Sequence, residues 1–147
     1  MRTKVLFLCT GNSARSQMAE AFLRKLGGSQ YEVFSAGLEP KGLDPLTVQV
    51  MAEIGYDLSG HRSKNLDEFL GKRHFHFIIT VCDDADKNCP RIWPGVHERR
   101  HWSFEDPAAF AGSVAEKLAK FRQVRDQIQE RIRDWIGQYK PLENSSA

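Results

Sequence analysis

Apolar residues along this chain fall into two alternating rhythms, one suited to strands and one to helices. Val5-Leu6-Phe7-Leu8 is an unbroken apolar run that ends on Cys9, which predicts a short buried strand. A polar loop with one glycine follows, and Gln17-Met18-Ala19-Glu20-Ala21-Phe22-Leu23 continues as helix-forming sequence, expected to stop at Gly27-Gly28. Tyr31-Glu32-Val33-Phe34-Ser35 alternates as a second strand closed by Gly37. Asp44-Pro45 is an N-cap followed by proline at the first helical position. It opens a helix with Leu46, Val50, Met51 and Ile54 on one face. Asp57 to Gly71 reads as a turn and a short helix. Phe75 to Val81 is a third strand, apolar on both faces and so central, and Arg99 to Trp102 a poorer fourth at an edge. From Ser113 to about Gly137, Val114, Leu118, Phe121, Val124, Ile128, Ile132 and Trp135 recur at threes and fours, a long amphipathic helix.

Strands alternating with helices predict an α/β fold, three-layer α/β/α around a central four-stranded parallel sheet with right-handed crossovers. Sites in such sheets lie at the carboxyl ends of strands, where Cys9, Ser35 and Cys82 all fall. The length and the lack of an internal linker predict a single domain over 1–140 with a polar tail at 141–147. A formal net charge of +2 argues against a nucleic-acid or membrane partner. No apolar run approaches the roughly 18 residues of a membrane span and the chain opens on a strand, so a cytoplasmic location is expected. Three cysteines are too few for a disulfide scaffold. An odd number in a reducing compartment points to working thiols.

The chemistry begins in Cys9-Thr10-Gly11-Asn12-Ser13-Ala14-Arg15-Ser16. A strand, a glycine-containing loop and a helix start bring backbone N–H groups and the positive end of a helix dipole to one point, where a tetrahedral oxyanion fits. Arg15 is placed to clamp two oxygens with its planar fork. Cys9, at the base of the donor ring, is expected to have a depressed pKa and to act as a thiolate nucleophile, with Ser16 donating to its sulfur. The bland alternative is a buried structural Cys9 with Arg15 on a solvated face. Neither G-x-x-x-x-G-K nor G-x-G-x-x-G occurs. A second constellation is Cys82-Asp83-Asp84-Ala85-Asp86-Lys87-Asn88-Cys89. Its spacing matches no common zinc site, and its aspartates lack the glycine and terminal glutamate of a calcium loop, so no metal is assigned. The two cysteines are either a redox pair or two unrelated buried residues.

Cys9 to Glu20 resembles the start of the arsenate reductases built on the low-molecular-weight protein tyrosine phosphatase fold. Ser35-Ala36-Gly37, Cys82 to Cys89 and His101-Trp102-Ser103-Phe104-Glu105-Asp106-Pro107 extend the resemblance, in order, over most of the chain. It is most similar to the branch with three redox cysteines coupled to thioredoxin. The resemblance implies that Thr10 to Ser16 bind arsenate, that Cys9 attacks it, and that Cys82 then Cys89 relay a disulfide to external thioredoxin without a bound cofactor. Glutaredoxin with glutathione is the alternative reductant. It also implies that Asp106 protonates the departing oxygen. Ala108 stands where related phosphatases often carry tyrosine, and Ala14 where many relatives have a further loop cysteine. Some relatives bind potassium through residues matching Asn12, Glu20 and Ser35 plus a carboxylate; Lys64 takes the carboxylate's place, which predicts little potassium dependence if its ammonium supplies the charge, the alternative being a lysine that is simply solvated. His61, His74, His76, His97 and His101 show no ligand spacing, Trp93, Trp102 and Trp135 read as packing residues, and Arg99-Arg100-His101 as a solvated edge. Two other functions fit the same residues. One is a phosphatase using Cys9, Arg15 and Asp106, the other an oxyanion or redox sensor.

Overall fold

A computed structural model describes residues 2–89 and 95–139. The expectations for the 141–147 tail and for Trp93 lie outside the described residues. In chain order the elements are β1 (Thr3–Cys9), α1 (Arg15–Gly27), β2 (Tyr31–Gly37), α2 (Pro45–Ala52), β3 (Phe75–Thr80), α3 (Asp83–Asn88), β4 (Val96–His101) and α4 (Val114–Gln138), with short 3-10 turns between. The four strands pair in parallel in the order β2-β1-β3-β4.

Val5, Leu6, Phe7 and Leu8 are all fully buried although neighbours point to opposite faces, so both faces of β1 are covered. On one face Phe7 meets Trp102 (ring centroids 5.9 Å), Phe77 meets Trp135 (5.2 Å), and the two indoles meet at 5.8 Å, which seats α4. Elsewhere on the sheet Phe34 packs edge-on against Phe69 at 5.5 Å. Truncating a side chain as deep as Phe7 costs about 3–5 kcal/mol.

Local signals explain the helix starts. Asp44 Oδ1 accepts from Leu46 N–H at 2.9 Å and Pro45 follows it, as expected. Ser113 and Glu116 form a reciprocal capping box, Ser113 Oγ accepting from Glu116 N–H and Glu116 Oε1 from Ser113 N–H. Buried Arg125 on α4 donates to Val50 O at 2.9 Å and to Glu53 Oε1 at 3.0 Å, tying α4 to α2. Among the described residues no helix is long and apolar enough to cross a membrane.

Three local expectations need correction, and one segment for which no element was expected takes a defined form. β4 starts at Val96, three residues before the expected boundary, because backbone pairing with β3 tolerates its polar side chains. Val114 is 69% exposed, since the buried stripe of α4 begins further along. Ile54 lies past the end of α2 and packs from the following turn. The segment between Cys82 and Cys89 is a helix, α3, capped by the Cys82 sulfur accepting from Ala85 N–H.

Chain connections leave β1 toward β2 and β3 toward β4, in opposite directions along the sheet. The adjacent strands β1 and β3 therefore flank a topological switch point, where an α/β sheet opens a crevice at its carboxyl edge.

Candidate active site

Register places two of the three thiols. Leu8 pairs with Thr80 and Val81 N–H donates to Leu8 O at 2.9 Å, so Cys9 and Cys82 leave adjacent strands side by side at the switch point. Between Cys9 and α1 the loop is shaped from outside. Leu38 N–H donates to Cys9 O (3.2 Å), Glu39 N–H to Thr10 O (2.8 Å), Lys41 N–H to Gly11 O (3.0 Å) and Asp44 N–H to Ser13 O (3.1 Å). Gln17 Nε2 holds Asn12 O and Met18 N–H holds Ala14 O. Every carbonyl from Cys9 to Ala14 is thus drawn outward. In trans peptides the N–H opposes the C=O, so the loop amides turn the other way, toward the crevice.

Two residues make that curvature affordable. Asn12 is fully buried with φ 48°, a left-handed conformation that asparagine tolerates better than most. Its Nδ2 donates to Ser16 Oγ (2.8 Å) and Ser35 Oγ (3.0 Å), and its Oδ1 accepts from Gln17 Nε2 (3.0 Å) and Lys64 N–H (2.8 Å). Gly37 lies against the loop so closely that a Cβ there would sit 2.6 Å from Thr10 O and 2.9 Å from Asn12 N.

The crevice is a pocket of about 340 Å³ lined by Cys9, Thr10, Gly11, Ser13, Ala14 and Arg15, with Lys41, Asp84, Asp106 and Ala108 at its rim. Of the expected oxyanion-binding residues, Asn12 and Ser16 lie fully buried behind the lining instead. Arg15 Nη1 donates to Phe104 O at 3.0 Å and its Nη2 sits 3.6 Å from Asp106 Oδ2, bringing the loop of the expected general acid to the mouth. Asp106 also accepts from Ala108 N–H at 3.0 Å.

All three cysteines are thiols. Cys9 and Cys82 act on one another through their sulfurs, and Arg15 acts on both. The negative charge settles on Cys82. Interaction with Cys9, then with Thr10 Oγ1 (3.5 Å) and Ala85 N–H (3.4 Å), with the Arg15 charge, brings Cys82 down to about 5 against burial. The same interaction with Cys82, reinforced by burial, pushes Cys9 up. The expected depression of Cys9 is therefore corrected: it belongs to the pair, and the proton rests on Cys9. Nor, among the described hydrogen bonds, does Ser16 reach Cys9. Its Oγ accepts from Asn12. Thr10, which also donates to Asp84 Oδ2 at 2.6 Å, is the hydroxyl at a sulfur.

Cys89 is buried at the far end of α3, and burial pushes its thiol up. Seven residues at 1.5 Å rise separate it from Cys82 by about 10 Å along the helix axis, beyond the roughly 7 Å Cα separation that a disulfide spans. The third thiol is thus kept apart from the other two by a wound helix.

Behind the loop, buried Glu20 accepts from Ser35 Oγ, pairs with Arg24 Nη2 at 2.6 Å and faces Lys64 Nζ at 3.7 Å. Lys64 Nζ also donates to Arg62 O at 2.8 Å, and burial lowers its pKa. Of the residues that sequence reasoning passed over, Lys41 and Asp84 enter the pocket rim, and His101, exposed as expected, is tied to Asp83 at 2.9 Å. Only long-range placement reveals them.

Residues 4–145 match the family model for low molecular weight phosphotyrosine protein phosphatase, and the chain belongs to that family. Within it, the similarity runs to arsenate reductases. The Oceanobacillus iheyensis arsenate reductase is 45% identical over 130 residues, 88% of this chain and 91% of that protein. A solved arsenate reductase in its phosphate-binding state superposes with a TM-score of 0.78 at 34% identity, covering 94% of this chain and 99% of the other. The thioredoxin-dependent arsenate reductase of Corynebacterium glutamicum gives 0.68 at 30% identity, over 93% of this chain and 60% of that one.

Proposed function

We propose that the protein reduces arsenate to arsenite through a three-thiol relay regenerated by thioredoxin. The observation that carries the reading is the placement of Cys82 beside Cys9, the two leaving adjacent strands where Cys9 lines an oxyanion-shaped loop, since a hydrolase has no use for a second thiol next to its nucleophile. Arsenate sits among the loop amides and the Arg15 fork. The shared proton passes from Cys9 to Cys82, and the Cys9 thiolate attacks arsenic. An arsenic-bound hydroxyl leaves as water with a proton from Asp106, giving a Cys9–arsenic(V) adduct. Cys82, having released its proton to solvent, attacks the Cys9 sulfur. The S–S bond forms, the S–As bond breaks, and its electron pair reduces arsenic(V) to arsenic(III), which leaves as arsenite. Cys89 then attacks Cys82, Cys9 departs as a thiolate, and a Cys82–Cys89 disulfide remains for the external dithiol. The likeness to the Corynebacterium glutamicum protein supports thioredoxin in that role.

The test is NADPH oxidation on adding arsenate with thioredoxin and its reductase present. Wild type should turn over, and Cys82→Ser and Cys89→Ser should each fail. Equal aryl phosphate hydrolysis by all three, with no NADPH consumed, would replace this reading with that of a phosphatase. The small side chain of Ala108 at the pocket mouth, where an aryl ring would need a wall, favours the reductase.

A further inference from the structure

If Cys89 is to reach Cys82, α3 has to let go, and it is fastened more firmly than a six-residue helix can hold itself. Only Ala85 of α3 is buried, so the core contributes little to keeping it wound. Asp83 and Asp86 do that work across to the end of β4, while Asp84 is held by Thr10 Oγ1 at 2.6 Å. His101 Nε2 and Ser103 Oγ donate to Asp83 Oδ1 at 2.9 Å and 3.0 Å. Arg99 Nη2 donates to Asp86 O and, at 3.1 Å, to Asp86 Oδ1. Thr80 Oγ1 bridges the two fastenings, 3.2 Å from Asp86 Oδ1 and 2.8 Å from His101 Nδ1. His101 is the common member: it grips the first turn of α3 through one ring nitrogen and is oriented by β3 through the other.

We propose that His101, assisted by Ser103, is a positioning residue that latches α3 onto β4, so that the rate of latch release governs the attack of Cys89 on Cys82. The inference rests on the three-thiol reading of the site. In the step concerned, the Cys89 thiolate forms a bond to the Cys82 sulfur, the Cys9–Cys82 bond breaks, and Cys9 leaves as a thiolate with no oxidant consumed. Formation of the Cys9–Cys82 bond needs no such motion, because both residues stand at the ends of paired strands. The latch therefore separates two exchanges that would otherwise differ only in distance.

The experiment is a single turnover of the reduced protein with arsenate. It is quenched by acid and alkylation, and peptide mapping distinguishes Cys9–Cys82 from Cys82–Cys89. In a His101→Ala/Ser103→Ala double variant, conversion to Cys82–Cys89 should accelerate about 3- to 10-fold, the range expected for removing two exposed hydrogen bonds to a carboxylate. Formation of Cys9–Cys82 should stay within about two-fold of wild type. Asp83→Asn should accelerate conversion in the same way from the other side, and His101→Gln, which keeps an N–H donor, should fall back toward wild type. Alkylation of Cys89 in the reduced protein should rise by the same factor without arsenate. Arg99 is left intact because its charge opposes the rise that burial imposes on the Cys89 thiol. Unchanged or slower conversion in the double variant would overturn the latch and leave the relay standing. So would a parallel rise in both steps with a fall in Tm, which marks general loosening. A wild type that consumes arsenate without forming either disulfide would overturn the relay and the latch together.

Discussion

Asn12 is the residue on which the shape of the oxyanion loop most depends, and its replacement by alanine and by glycine separates two costs. Alanine removes four side-chain hydrogen bonds from a site with no solvent access. Gln17 Nε2 keeps other acceptors in Asn12 O and Arg62 O, and the serine hydroxyls can turn. Lys64 N–H is left without its acceptor. Desolvation of that one donor costs about 1–3 kcal/mol, and the remaining bonds add about 1–2 kcal/mol net. Alanine at φ 48° adds about 1 kcal/mol of backbone strain. Asn12→Ala should therefore lose about 3–6 kcal/mol, which at about 2–4 °C per kcal/mol lowers Tm by roughly 10 to 20 °C. Asn12→Gly escapes the strain but gains unfolded-state freedom, and should melt about 2 °C above the alanine variant. Both should lose most of the Tm rise that saturating phosphate gives wild type, because the loop amides no longer converge. Melting curves with and without phosphate measure all of this. Two variants within 2 °C of wild type, with the phosphate response intact, would refute the claim that Asn12 builds the loop.

Arg15→Lys keeps the charge but loses the fork that spans Phe104 O and the oxyanion, so kcat/KM for arsenate should fall about 10²- to 10³-fold, read in the coupled assay. Cys82, held low, stabilises the fold above the ordinary thiol range near 9 and loses that contribution as pH falls through about 5. Cys9, held high, does the opposite above 9. Stability of the reduced protein should thus climb from pH 5 toward 9 and decline beyond, and Cys82→Ser should flatten the rising limb in urea titrations at stepped pH. With the Lys64 ammonium beside Glu20, activity should change less than two-fold between potassium and sodium at fixed ionic strength; a large potassium gain would remove the lysine from that role.

Much of this was readable in the chain because the signals were local. The run Val5 to Leu8 into Cys9, the Asp44-Pro45 start and the long stripe after Ser113 each carry their period or cap within a few residues, and the structure places all three as expected. What the sequence hid depends on distance. The donors that curl the loop are backbone N–H groups of Leu38, Glu39, Lys41 and Asp44, which no side-chain pattern announces. α3 holds one buried residue and is too short to display a helical period, and its cap is a sulfur, outside the usual capping residues. The exchange of charge between Cys9 and Cys82 arises only when two strands meet in register, so reading Cys9 alone put the depressed pKa on the wrong sulfur.

β4 has a bearing on how the molecule behaves in crowded solution. It is an edge strand whose sequence after Val96 is His-Glu-Arg-Arg-His, with Arg100 paired to Glu98 on the strand itself and Arg99 drawn over α3. A foreign strand docking there would have to dehydrate charge on every rung it joined. The composition that made β4 a poor strand to read is therefore what keeps the open side of the sheet from growing into an aggregate.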